Sequence, residues 1–145
     1  MTASTTDAGT TLVRTYIDAV SALDVDGIVA TLHPDVVMHI PFAPEGIPQA
    51  VEGRAAVEEW FTAVPNLMAP LNYTDHDIVA LEREGEYVAR YSGSTTVLPT
   101  GIPYSTDYVA LFTVRDGLLI STTEYFDAVA LVKGLGWTVT PPTQA

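Results

Sequence analysis

Cysteine is absent from this chain and basic residues are scarce, and both shortages exclude whole classes of function. Without cysteine there is no disulfide, no thiolate nucleophile and no cysteine metal site. Six Lys and Arg stand against eighteen Asp and Glu, a net charge of −12 over 145 residues. No basic stripe can be assembled to displace counterions, so a nucleic-acid partner is not expected. No apolar run is long enough to span a bilayer. The opening Met1 to Asp7 has neither basic residues nor an apolar stretch, so no secretory signal is expected and the expected location is cytoplasmic. A phosphate-binding glycine loop, Gly-x-Ser-x-Gly and His-Glu-x-x-His are all missing. The histidines His33, His39 and His76 are too widely spaced for a local metal motif, so no metal is expected.

Apolar residues are plentiful. They make up 48% of the chain against 17% charged, enough for one core in one domain over 1–145, with 1–8 and 138–145 as flexible tails. So small a charged fraction points to apolar surface kept from water in a cavity or a subunit contact.

Helical spacing comes first. Leu12, Val13, Tyr16, Ile17, Val20 and Leu23 share one face of a helix over 11–23. A second helix starts at Asp24 or Asp26, runs through Leu32 and is stopped by Pro34. Val36 to Ile40 reads as a short strand and 42–52 as a loop. Val57, Trp60, Phe61 and Val64 mark a third helix over 54–64. Strands follow at 73–81, 86–97, 104–114 and 118–126. Asp116-Gly117 is a strong hairpin signal between the last two. A short helix over 127–135 closes the series. Helices followed by antiparallel strands give an α+β fold, with a curved sheet packed on its N-terminal helices and a cavity between them.

Polar groups within the apolar strands are the candidates for chemistry. Leu118, Ile120, Thr122, Glu124 and Phe126 are expected on one strand face. A carboxyl there is desolvated and its pKa raised, as a general acid or base requires, unless the strand twists it out to water. Asp107, beside Val109 and Leu111 on its face, is read the same way. Asp127 suits the N-cap of the final helix. His39, between Met38 and Ile40, is a core histidine or a proton shuttle. Tyr16, on a buried helix face, needs a partner for its hydroxyl or a cavity to point into. Trp60 and Phe61 are core residues first and pocket lining second. Leu98 to Pro103, with Gly101 between two prolines, is a candidate lid.

Three stretches carry a family resemblance across 12–136. Tyr16 to Val20 followed by Asp24 to Val29 resembles the opening helices of ketosteroid isomerases. Val51 to Val57 resembles the turn into the third helix of the nuclear-transport-factor-2-like superfamily. Asp116-Gly117 through Glu124-Tyr125-Phe126-Asp127 to Gly136 is similar to SnoaL-like cyclases and phenazine-biosynthesis A/B proteins. The resemblance implies a cone-shaped α+β fold, often dimeric, so a homodimer is expected. Tyr16 falls at the isomerases' oxyanion-holding tyrosine and Asp107 near their protonated aspartic acid. Their base aspartate is replaced by Ile40 ahead of Pro41, which argues against ketosteroid isomerisation. Glu124 resembles the proton-shuttling glutamate of the phenazine proteins, whose histidine is replaced near Trp60. Asp127 matches the base of SnoaL-like aldol cyclases.

The function implied is a cyclase or isomerase of a large apolar biosynthetic intermediate, with a polyketide as the expected substrate. Asp127 or Glu124 would move protons beside a carbonyl while Tyr16, His39 or Asp107 steady the oxyanion. Alternatively, a pericyclic closure would be driven by pocket shape. The expected pocket wall is Trp60, Phe61, Tyr108, Phe126 and Met38. No organic cofactor is expected, because the substrate's own carbonyl can hold the charge. An epoxide hydrolase using paired acids, the Asp-Arg-Asp pattern of which is not visible, and a non-catalytic binding protein are the rivals.

Overall fold

The computed structural model describes residues 7–143. Helix α1 (Ala8–Ser21) begins earlier than its apolar face suggests, because Asp7 Oδ1 accepts from the Thr10 N–H at 2.6 Å and caps the first turn. The Tyr87 hydroxyl also donates to Asp7 Oδ1, at 3.3 Å, so residues 7 and 8 are anchored rather than a tail. Residues 1–6 and 144–145 of the expected tails lie outside the described residues, and 138–143 are exposed and without regular structure. Leu23 turns the chain through a left-handed conformation, φ 55°, into α2 (Val25–Val29), capped by Asp24.

The second helix is shorter than expected, and Pro34 does not end it. Pro34 lies inside strand β1 (Leu32–His39), where pairing with the last strand is irregular between Leu32 and Val37. A proline fits such a gap because no ladder hydrogen bond is asked of its nitrogen. The loop over 42–52 contains the short strand β2 (Ala50–Glu52), antiparallel to β1. Helix α3 (Arg54–Ala63) runs on into a 3₁₀ turn, Val64–Asn66, that accommodates Pro65. Strands β3 (Thr74–Ala80), β4 (Glu86–Val97), β5 (Ile102–Arg115) and β6 (Leu118–Tyr125) follow, and α4 (Ala128–Gly134) ends the regular structure. Among the described residues no helix is long and apolar enough to cross a membrane.

The six strands form one sheet in the order β2-β1-β6-β5-β4-β3. Four of its pairings are antiparallel, and β1 pairs with β6 in parallel, so the sheet is mixed rather than wholly antiparallel. The α+β class stands. The β5–β6 turn is tight, with positive φ at both Asp116 (54°) and Gly117 (74°), the two-residue geometry that Asp-Gly favours. The expected lid over 98–103 is instead a short turn tied down on two sides. Leu98 N–H donates to the Leu67 carbonyl at 2.8 Å, and Thr100 Oγ1 donates to the Gly134 carbonyl at 2.6 Å.

Alternation on β4 and β5 sets the inner surface. Tyr87, Ala89, Tyr91, Thr95 and Val97 face inward from β4, and Tyr104, Thr106, Tyr108, Ala110 and Phe112 from β5. Helices α1 to α3 cover this side, burying Val13, Ile17, Ile28 and Val57 completely or nearly so. Gly93 occupies an inward position opposite Thr106. A Cβ there would lie 2.9 Å from ring carbons of both Tyr73 and Tyr108, so the glycine is what lets the two rings close over the strand. Gly93→Ala is therefore expected to cost about 1–3 kcal/mol by overpacking. Urea denaturation measures this, and near-ultraviolet circular dichroism reports the displaced tyrosines.

Candidate active site

The inner face of the sheet and the helices over it enclose a cavity of about 150 Å³ whose wall is predominantly apolar. The five residues expected in a pocket wall, Trp60, Phe61, Tyr108, Phe126 and Met38, all line it. So do two of the five candidates for chemistry, Tyr16 and Glu124.

Glu124 reaches the cavity because of an irregularity in β6. Thr113 pairs with Ser121 but Val114 with Leu119, which leaves Ile120 as an extra residue. The insertion changes the phase of the strand. Leu119 is fully buried, whereas the simple alternation placed Leu118 and Ile120 on the inner face. From Thr122 onward the alternation holds, with Thr122 opposite Phe112 and Glu124 opposite Ala110. Ala110 in turn lies opposite Ala89 on β4. Two successive alanines beside Glu124 leave room above them for its carboxyl.

The Tyr91 hydroxyl donates to Glu124 Oε2 at 2.8 Å. Burial pushes the Glu124 carboxyl up to about 7, and the Tyr91 hydrogen bond, which favours the anion, offsets only part of that. The residue keeps some accessibility because it borders the cavity. Near neutral pH it exists in both protonation states, as proton transfer requires.

Tyrosines surround this carboxyl. Tyr91 and Tyr108 stack with centroids 5.1 Å apart and 18° between ring planes, and Tyr73 lies against both, at 4.7 and 5.1 Å. Tyr16 comes from α1 and packs edge-on against Phe112 at 5.6 Å. Burial, and after it the charge of Glu124, raises the phenols of Tyr16, Tyr73 and Tyr91 above the ordinary range. The phenol of Tyr108 is raised in the same way. Burial pushes Tyr104 up to about 12. All five remain protonated donors at physiological pH. Tyr73, Tyr91 and Tyr104 were not singled out in the sequence, although Tyr87 and Tyr91 alternate with small residues along β4 and Gly93 marks a close approach within the strand.

The other three candidates lie elsewhere. His39 follows Met38 on β1 and points to the opposite face, because alternation allows only one of the two to face the cavity. Asp107 precedes inward-facing Tyr108 and is exposed on the outer face, where the Ser92 hydroxyl donates to its Oδ1 at 2.7 Å. Asp127 caps α4. Its Oδ1 accepts from the N–H groups of Val129 and Ala130 at 3.0 and 3.1 Å. Asp107 and Asp127 share a shallow polar groove with Ser92, Ser94 and Ser105. Neither borders the cavity of Glu124. No group of three or more His, Cys, Asp or Glu placed to hold a metal occurs among the described residues.

The fold and the cavity now bear on relationship. Residues 13–122 match the SnoaL-like domain. The chain belongs to the SnoaL-like domain family. A solved protein of Bacillus subtilis, provisionally described as an isomerase, superposes with a TM-score of 0.82 at 22% identity, covering 89% of this chain and 93% of that one. A protein of Xanthomonas campestris, provisionally described as a polyketide cyclase, gives 0.76 at 24% identity and covers 88% and 96%. At such identities these likenesses establish the shared fold. In sequence, the uncharacterized protein YesE of Bacillus subtilis is 24% identical over 102 residues, 70% of this chain and 69% of that protein. Within this SnoaL-like chain the apolar cavity with its single acid is the candidate site.

Two outcomes follow for stability. The folded-state pKa of Glu124 lies above its ordinary value of 4.5, so the folded state binds the proton more tightly than the unfolded one. The stability conferred by that protonation is complete below about pH 4.5 and is lost as pH rises through about 7. Glu124→Gln, isosteric with the neutral acid, is expected to be more stable than the parent by about 1–3 kcal/mol at pH 8. The two should converge by pH 4, and chemical denaturation across this range measures the difference. Asp127→Asn should leave stability within about 0.5 kcal/mol, since asparagine caps as well as aspartate, whereas Asp127→Ala should cost about 1 kcal/mol.

Proposed function

We propose that this protein is a cofactor-independent cyclase or isomerase that moves a proton at a carbon beside a carbonyl group. Glu124 is its acid–base residue. One observation carries the reading: a carboxyl with its pKa pushed up to about 7 is hydrogen-bonded to Tyr91 inside an apolar cavity ringed by protonated tyrosines. The Glu124 carboxylate takes a proton from the α-carbon, and the electron pair moves onto the carbonyl oxygen. A tyrosine hydroxyl of the cavity wall, such as that of Tyr16 or Tyr108, donates to the resulting oxyanion. Where a double bond is conjugated with the enolate, the dienolate takes the proton back from Glu124 at its far carbon, which is isomerisation. Otherwise the enolate carbon attacks a second carbonyl and the resulting alkoxide takes the proton from Glu124, which is aldol cyclisation.

Several earlier alternatives lose support. The assignment of Asp127 as base has the difficulty that its carboxylate is occupied with the α4 N-terminus, outside the cavity. His39 and Asp107 lie outside the wall of the cavity that Glu124 borders. Epoxide opening by paired acids would find only one acid in the cavity wall. A polyketide as substrate remains part of this proposal, but the cavity volume favours a small one.

Solvent exchange tests the reading without knowledge of the natural substrate. In heavy water the protein should accelerate deuterium uptake at the carbon beside the carbonyl of 2-indanone, followed by proton NMR. The rate should rise with pH to a plateau with an apparent pKa near 7. Glu124→Gln should lower it by about 10² or more while the fold is retained. Full exchange activity in that variant would rule out Glu124 as the base, and no acceleration by the parent protein would leave shape-driven closure or a binding role.

A further inference from the structure

The sign of the charges available to the cavity restricts what can occupy it. Six residues of the chain are permanently basic, and none of them lines the cavity. Arg83, in the β3–β4 turn, pairs with Glu86, Arg90 on β4 pairs with Asp77 on β3, Arg115 adjoins the β5–β6 turn, and Lys133 is in the last turn of α4. Arg14 is exposed on α1 and Arg54 opens α3. No histidine lines the cavity either. Helix α4 contributes Leu131 to the wall, but Asp127 already occupies the N–H groups of its first turn. What remains to meet a ligand is a set of neutral hydroxyl donors around one carboxyl.

We propose that the cavity takes an uncharged carbonyl compound of one or two rings and rejects carboxylates, phosphates and coenzyme A thioesters of the same skeleton. This deepens the proposed function and rests on it only in taking the Glu124 cavity as the site. Tyrosine hydroxyls match carbonyl acceptors, and the rings of Tyr73, Tyr91 and Tyr108 offer flat apolar contact to a planar guest. A hydroxyl donates a hydrogen bond but supplies no countercharge, so a buried anion would stay uncompensated. An anion about 5 Å from ionised Glu124, at an effective dielectric constant near 20, would bind roughly a hundredfold more weakly. Size follows from the volume. A cavity of about 150 Å³ is on the scale that takes one benzene ring, and a second ring can extend toward the mouth.

The test uses the intact protein labelled with nitrogen-15, titrated at pH 8 with four probes and followed by two-dimensional NMR. Two are neutral, 2-indanone and 2-methyl-1,4-naphthoquinone, and the chain has no thiol for the quinone to alkylate. The third is 1-naphthoate, matched in size but anionic, and the fourth is the neutral four-ring androst-4-ene-3,17-dione. Both small neutral compounds should saturate, shifting the amides of Ala110 and Thr122. Naphthoate should bind at least a hundredfold more weakly than the quinone, and Glu124→Gln should narrow that gap to about tenfold. Three results would each overturn the proposal: no saturable cavity binding by either small neutral compound, naphthoate within tenfold of the quinone in the parent protein, or the four-ring dione binding more tightly than both. Failure of the catalytic reading looks different. Charge discrimination together with full exchange activity in Glu124→Gln would remove the base and leave the ligand class standing.

Discussion

The site depends on how large and small side chains are paired across β4, β5 and β6. Tyr87 faces Phe112, Ala89 faces Ala110, and Tyr91 faces Tyr108. The middle row is therefore recessed between two aromatic rows, and β6 extends it with Glu124. Cross-strand neighbours are close enough for a bulky residue in the recess to displace the carboxyl. Gly93, one step further along β4, performs the same service for the tyrosines, giving Tyr73 and Tyr108 space that any side chain would occupy. The cavity results from residues that are small where the sheet could have been filled.

That vacancy has an energetic cost concentrated on one residue. A carboxyl buried among phenols and aliphatic groups, with one hydrogen bond from Tyr91, is poorly solvated as an anion. A fully apolar replacement would pack without that penalty. The proton-accepting role proposed for Glu124 would account for retaining an acid there. The surrounding tyrosines serve both states of the group: their rings exclude water, and their hydroxyls remain available to donate.

Much of this was legible in the sequence. Helical spacing located α1 and α3, period-two alternation located β4 and β5, and Asp116-Gly117 fixed the last hairpin. Glu124 emerged because an acid inside an apolar strand is conspicuous. The failures have identifiable physical origins. Pro34 reads locally as a helix stop, and only the irregular pairing of β1 with β6 makes it tolerable in a strand. The extra residue Ile120 cannot be seen without the partner strand, so the face containing Leu118 was misassigned while the one beginning at Thr122 was not. Asp107 and His39 each stand one position from an inward-facing residue, and a shift of one residue exchanges cavity for outer surface. Tyr91 was overlooked because its importance lies in its reach to Glu124, a contact between strands that no local pattern reveals.

The parallel pairing of β1 with β6 also has a consequence for how the molecule comes into being. Leu32 and Leu119 are partners in the ladder, yet most of the chain lies between them. Contacts so distant in sequence form slowly, because a long loop must close before they contribute. On the ribosome, β1 and the apolar faces of α1 and α3 emerge well before the strand that separates β1 from β5. Glu124 travels on that late strand, so the arrival of the acid and the closing of the sheet are a single event in biosynthesis. A nascent chain halted before β6 would carry both an unsatisfied strand edge and an unfinished cavity.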